Sequence, residues 1–172
     1  PEVGWKMKAD AGKKKVVLEL GGDAAAIILK DANLELAAHK CALGSFMYAG
    51  QICISVQRII VEDSILPQFR EIFLEKTKAL KTGNPALEDV LVGPVIDSKN
   101  ADRIESWVSE AILGGAKQIC GQRTGHHSIF EPIILENVPA NSKLANEEAF
   151  APVVEIIPAQ SAAHAFQLVN QS

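Results

Sequence analysis

At 172 residues, 48% of them apolar and 22% charged, the chain has the length of one domain and enough apolar sequence to bury a core. Its net charge of −4, with no basic stripe beyond Lys13-Lys14-Lys15, argues against a nucleic-acid surface. No run approaches the roughly 18 apolar residues of a membrane span, and no signal-peptide pattern opens the chain.

Pro1 to Ala11 reads as a short helical lead-in whose Trp5 and Met7 pack on whatever lies upstream. Val16 to Leu20 is a continuous apolar run with β-branched residues, expected to be a buried strand, and Gly21-Gly22 breaks it. Ala25 to Leu29 is a second strand. Asp31 or Asn33 caps a helix from near Leu34 that places Leu34, Ala38, Cys41 and Ser45 on one face, which makes Cys41 a small core residue. Met47 to Ser55 has no sustained period and reads as a turn followed by a short helix or loop, and Arg58 to Val61 as a strand.

Ser64 is expected to cap a long helix with Ile65, Phe69, Ile72, Phe73, Lys76 and Leu80 on one face, ended by Gly83. A loop from Asn84 to Pro94 follows. Asp97 or Ser98 caps the next helix, with Ile104, Trp107, Val108, Ala111 and Ile112 inward and Gly114-Gly115 as its stop. Lys117 to Cys120, Ile133 to Leu135 and Val153 to Ile157 are strands, and Ala162, Ala165, Phe166 and Val169 mark a final helix. Strands alternating with long helices imply an α/β fold: an open, mostly parallel sheet flanked by helices.

Three cysteines at irregular spacing, Cys41, Cys53 and Cys120, supply neither a disulfide framework nor a paired zinc spacing, so a reducing cytoplasm is expected. His126 and His127 are adjacent in a polar loop, but no further group stands at ligand spacing, so no metal is expected. The pattern that carries chemistry is Gly50-Gln51-Ile52-Cys53, read with Glu19 at the end of the run before Gly21-Gly22. A thiol is a nucleophile once it is thiolate, and a helix beginning near Cys53 would aim N–H groups at the sulfur and at an oxyanion. A glutamate in an apolar surround is held partly protonated and acts as a base towards water. Spacing alone also allows a strand-end glutamate and a core cysteine.

Leu18-Glu19-Leu20-Gly21-Gly22, Ala49-Gly50-Gln51-Ile52-Cys53, Gly93-Pro94 and Glu147-Glu148-Ala149-Phe150-Ala151-Pro152, in this order, resemble the aldehyde dehydrogenase superfamily over essentially the whole chain. The resemblance implies a Rossmann-like catalytic domain and oxidation of an aldehyde to a carboxylic acid with NAD or NADP. Cys53 matches the nucleophile, which forms a thiohemiacetal and then a thioester. Glu19 matches the residue that activates the hydrolytic water. Glu148 and Phe150 match positions that touch the nicotinamide half of the cofactor, and Leu20 and Gly21 match backbone near its ring. The run Ser55-Val56-Gln57-Arg58 is similar to the branch acting on small polar aldehydes such as lactaldehyde, glyceraldehyde 3-phosphate or succinate semialdehyde.

The resemblance also divides the chain into the tail end of a cofactor-binding domain, residues 1–20, and a catalytic domain truncated at its C-terminus, residues 21–172. It implies a parent protein that is a homodimer or homotetramer. The family's oxyanion-hole asparagine and most of its dinucleotide-binding domain match sequence upstream of Pro1, so the chain alone is expected to be inactive in redox chemistry. Two departures stand out: Ala151 replaces the usual glycine, a strained substitution if φ there is positive, and Asp23 replaces the commoner lysine or asparagine. A CoA-acylating enzyme is the nearest alternative, against which the intact Glu19 context argues. A cysteine esterase would need a histidine motif that His39, His126, His127 and His164 do not form, and a non-catalytic association module would leave Cys53 unreactive.

Overall fold

The computed structural model describes residues 1–125 and 128–171. Its sheet contains β1 (Ala24–Ile28), β2 (Val56–Glu62), β3 (Lys117–Cys120), β4 (Ile133–Glu136) and β5 (Val153–Ala159), in the order β1-β2-β5-β4-β3. The ladders β1–β2, β2–β5 and β4–β5 are parallel and β3–β4 is antiparallel, giving the open, mostly parallel sheet expected. Helices α1 (Glu2–Asp10), α2 (Leu34–Phe46), α3 (Leu66–Lys78), α4 (Ser98–Leu113), α5 (Lys143–Asn146) and α6 (Ala162–Val169) complete the chain.

The place of β2 inside the sheet explains why Ile59-Ile60-Val61 is continuously apolar. Ile59 and Val61 enter the larger core with residues of α2, α3 and α4, while Ile60 enters a second cluster with Ala159 of β5 and Ala165 of α6. A strand covered on both faces has no polar side to display. Phe73 links α2 to α3, its ring centroid 6.2 Å from that of Phe46 and 5.7 Å from that of Phe69. Asn33 caps α2 by accepting from Leu36 N at 3.1 Å, and Asp97 caps α4 by accepting from Asn100 N at 2.7 Å. Cys41 lies in the core, and burial pushes its thiol up to about 11.

Four expectations are corrected. Val16 to Leu20 joins no ladder, and Val17 is 90% exposed. The run has only one packed side: Leu18 and Leu20 lie against α1 at Gly4, where a Cβ would stand 2.5 Å from Leu20 Cδ2. Ser64 does not cap α3. Its N-cap is Ile65, without a side-chain bond, and Pro67 in the first turn removes one donor that would need a partner. That helix stops at Lys78, before Leu80 and Gly83, because the chain turns into a short parallel bridge between Thr82 and Val92. Ile112, expected inward, is on the outer side of α4 and exposed. The single turn α5 has no counterpart in the sequence reading, and His126 and His127 lie outside the described residues.

Candidate active site

The segment bearing Cys53 is shaped by three successive left-handed residues. Tyr48 has φ 51°, Ala49 φ 57° and Gly50 φ 67°, so the chain reverses sharply after α2. Side chains in this region cost about 1–2 kcal/mol each, a strain that surrounding contacts must hold. At Gly50 no side chain fits: a Cβ would stand 2.6 Å from the Ala151 carbonyl carbon and 3.1 Å from Ser45 O.

A tight turn then closes with Ser55 N donating to Ile52 O at 2.9 Å, and the solvent-exposed Cys53 sits within it. No helix begins at Cys53. The helical turn Met47–Gly50 precedes it, which removes the helix-terminus contribution expected from the sequence. The loop is held at both ends. Ser55 Oγ donates to Ser45 O at 3.2 Å, and Gln51 Nε2 donates to Tyr48 O at 3.1 Å and Pro94 O at 3.3 Å. Gln51 Oε1 accepts from Ile96 N at 2.9 Å, so the loop carrying Gly93-Pro94 is fastened to the cysteine loop.

The Gly21-Gly22 turn approaches this loop from the other side. A Cβ on Gly22 would lie 3.0 Å from Cys53 O, and one on Gly21 would lie 2.6 Å from Glu148 Cδ. Glu148 Oε1 accepts from Gly22 N at 3.0 Å. The glycines therefore permit a close approach: a Cβ on Gly21 would displace the Glu148 carboxylate, and one on Gly22 would press on the Cys53 carbonyl. Of the residues singled out in the sequence, Gly21, Glu148 and the Cys53 backbone are brought together here. Leu20 is half-buried against α1, and Glu19 is exposed, in solvent instead of an apolar surround.

Phe150 has φ 48° and is 41% exposed. With Tyr48, Gln51, Ile52, Pro94 and Ile96 it lines an open groove of about 790 Å³ beside the cysteine loop. The positive φ falls on Phe150 and not on Ala151, which is buried with its carbonyl against Gly50, so the condition for strain at Ala151 does not arise. The other departure, Asp23, forms an ion pair with Arg58, Oδ2 to Nε at 2.8 Å.

The sequence reading missed the polar side chains that assemble these pieces. Gln57, in β2, donates from Nε2 to Gly22 O at 2.7 Å and accepts at Oε1 from Ala149 N at 2.7 Å. Arg103 Nη2 donates to Ala149 O at 2.8 Å and lies over the Trp107 ring at 4.5 Å. A glutamine inside an apolar strand was a signal, because a buried amide requires partners.

The aldehyde dehydrogenase family model matches residues 1–172. The chain is 42% identical over 171 residues to the lactaldehyde dehydrogenase of Methanococcus aeolicus, covering 99% of the chain and 36% of that protein. It is 43% identical over 173 residues to the 3-sulfolactaldehyde dehydrogenase of Priestia megaterium, covering all of the chain and 36% of that protein. The glyceraldehyde-3-phosphate dehydrogenase of Methanocaldococcus jannaschii, solved with NADP, superposes with a TM-score of 0.91 at 42% identity, over 98% of the chain and 36% of that structure. The chain thus spans about a third of the length of these relatives.

Proposed function

The chain belongs to the aldehyde dehydrogenase family, and from that premise we propose that its protein oxidises a small polar aldehyde to the carboxylic acid with NAD or NADP. Cys53 is the nucleophile, and residues 21–172 form the catalytic portion, with residues 1–20 the tail of the cofactor-binding portion. The observation that carries the reading is the Gly21-Gly22 turn, which lies against the Cys53 carbonyl on one side and the Glu148 carboxylate on the other.

The residues present fit a nicotinamide cofactor. Gly21 leaves room for the Glu148 carboxylate, and Phe150 is displayed on a strained backbone at the rim of an open groove. In this assignment Glu148 would hold the ribose through a hydroxyl, Phe150 would hold the nicotinamide half, and the backbone of Leu20 and Gly21 would line its site. The bound nicotinamide supplies a hydride acceptor.

Cys53 thiolate adds to the aldehyde carbon, forming a C–S bond and an oxyanion. Its exposure in a turn gives the substrate access, and the Cys53 N–H is the donor this chain contributes to the oxyanion. Oxidation by that acceptor would leave the acyl group as a thioester on Cys53. Glu19 takes a proton from water, the resulting nucleophile attacks the thioester carbon, and the acid leaves as the thiolate is restored. The exposure of Glu19 suits contact with that water. The relatives that act on lactaldehyde and 3-sulfolactaldehyde support the substrate class. A cytoplasmic homodimer or homotetramer is the form expected of the parent protein.

The test uses the full-length protein with lactaldehyde, glyceraldehyde 3-phosphate and succinate semialdehyde, following reduced nicotinamide. Cys53→Ala abolishes turnover, while Glu19→Gln accumulates an acyl adduct on Cys53 detectable by mass spectrometry. Full activity in Cys53→Ala, or no aldehyde-dependent reduction of either cofactor, refutes the proposal.

A further inference from the structure

We infer that Gln57 is a positioning residue for cofactor binding, clamping the Gly21-Gly22 turn to the Glu148–Phe150 segment; the inference rests on the dehydrogenase reading above. Gln57 is 8% exposed and shares β2 with the fully buried Ile59, Ile60 and Val61. Its amide makes a two-way bridge between segments remote in sequence, donating to Gly22 O and accepting from Ala149 N, each at 2.7 Å.

Neither bridged segment belongs to the regular sheet. The turn precedes β1, whose pairing with β2 is irregular between Ala24 and Ala25, and Ala149 precedes the first residue of β5, Val153. Gln57 therefore provides bonds that ladder neighbours provide elsewhere. The two groups that follow from the bridge are the ones assigned to the cofactor. Glu148 reaches Gly22 N at 3.0 Å, and Phe150 leaves Ala149 with φ 48°.

Arg103 secures Ala149 through its carbonyl without a bond to the glycine turn, and Glu148 reaches the turn from within its own segment, so Gln57 is the side chain from outside both segments that bonds to each. The cysteine loop has its own fastenings, Gln51 and Ser55. Loss of the bridge is therefore expected to loosen the cofactor side while leaving the thiol side in place. Gln57→Met keeps length and volume but leaves Gly22 O and Ala149 N unpaired. Gln57→Glu keeps the acceptor for Ala149 N and cannot donate to Gly22 O when ionised.

The experiment measures NAD and NADP dissociation constants, Cys53 alkylation rate and peptide-level hydrogen exchange in the full-length wild-type, Gln57→Met and Gln57→Glu proteins. In both variants the cofactor dissociation constant rises about tenfold or more, as expected for unpaired buried groups, while Cys53 alkylation stays within about twofold of wild type. Exchange accelerates in peptides containing Gly22 and Ala149. Wild-type affinity in either variant overturns the clamp and leaves the dehydrogenase reading standing. A parallel loss of cofactor affinity, alkylation rate and melting temperature also overturns it, since that pattern means general destabilisation. A wild-type protein that binds neither NAD nor NADP overturns both readings together.

Discussion

Substituting Gly50 with alanine separates two costs that the structure imposes at the cysteine loop. The left-handed conformation, φ 67°, carries about 1–2 kcal/mol for an L-residue. The new methyl group would also lie 2.6 Å from the Ala151 carbonyl carbon, about 1 Å inside normal carbon contact. Relieving that overlap requires the 49–51 or 150–152 backbone to move, an overpacking cost of about 1–3 kcal/mol. The sum is about 2–5 kcal/mol. Gly12 provides the control, because it has φ 61° and a methyl group there would meet nothing within 4 Å, so Gly12→Ala carries the dihedral cost alone, about 1 kcal/mol. Urea unfolding of the 172-residue chain, followed by circular dichroism, measures both. A Gly50→Ala loss no larger than that of Gly12→Ala would refute the argument that loop closure depends on this close approach.

Two further outcomes follow from the charged groups behind β2. Burial raises the Glu155 carboxyl from its ordinary value of 4.5 to about 7, against the opposing pull of the Val138 N–H and Arg58. Between those values the folded chain holds a proton that the unfolded chain has released, so stability falls as pH rises through that window and levels off above it. Urea midpoints across this range show the slope in wild type and lose it in Glu155→Gln; identical slopes would exclude Glu155 as its source. Arg58→Met strands the largely buried Asp23 carboxylate and frees the carbonyls of Leu168 and Val169, so unfolding measurements should show a loss of about 3–5 kcal/mol. Adding Asp23→Leu recovers most of it, and a single-variant loss under about 1 kcal/mol would contradict the pairing.

Much of the architecture was legible locally. Val153 to Ile157 and Arg58 to Val61 are mostly apolar, β-branched runs, each with one charged residue, and both lie in interior strands. Asp97 announced the start of α4 because a short acceptor before a helical period has a free N–H to satisfy. The reading failed where an apolar pattern lacked a partner. Val16 to Leu20 has the composition of a strand, yet strand formation depends on a neighbour in register, and the run packs on α1 instead. Ser64 failed for a related reason: the entry to α3 is set by backbone bonds from Ile65 to Glu62 and from Leu66 to Asp63, which no side-chain pattern encodes.

The sequence by itself determined the alternation of strands and helices and the family motifs, and it singled out Cys53 as the candidate among three cysteines, because each is carried by contiguous residues. Only the tertiary structure decided how those motifs meet. It placed Glu148 on Gly22, 126 residues away, and gave the positive φ to Phe150 while leaving Ala151 unstrained. It also made Gln57 a bridge between two loops and set Glu19 in solvent. The physical reason is that a buried amide or a close backbone approach is defined by what stands opposite it, and that partner is chosen by the sheet order and not by neighbours along the chain.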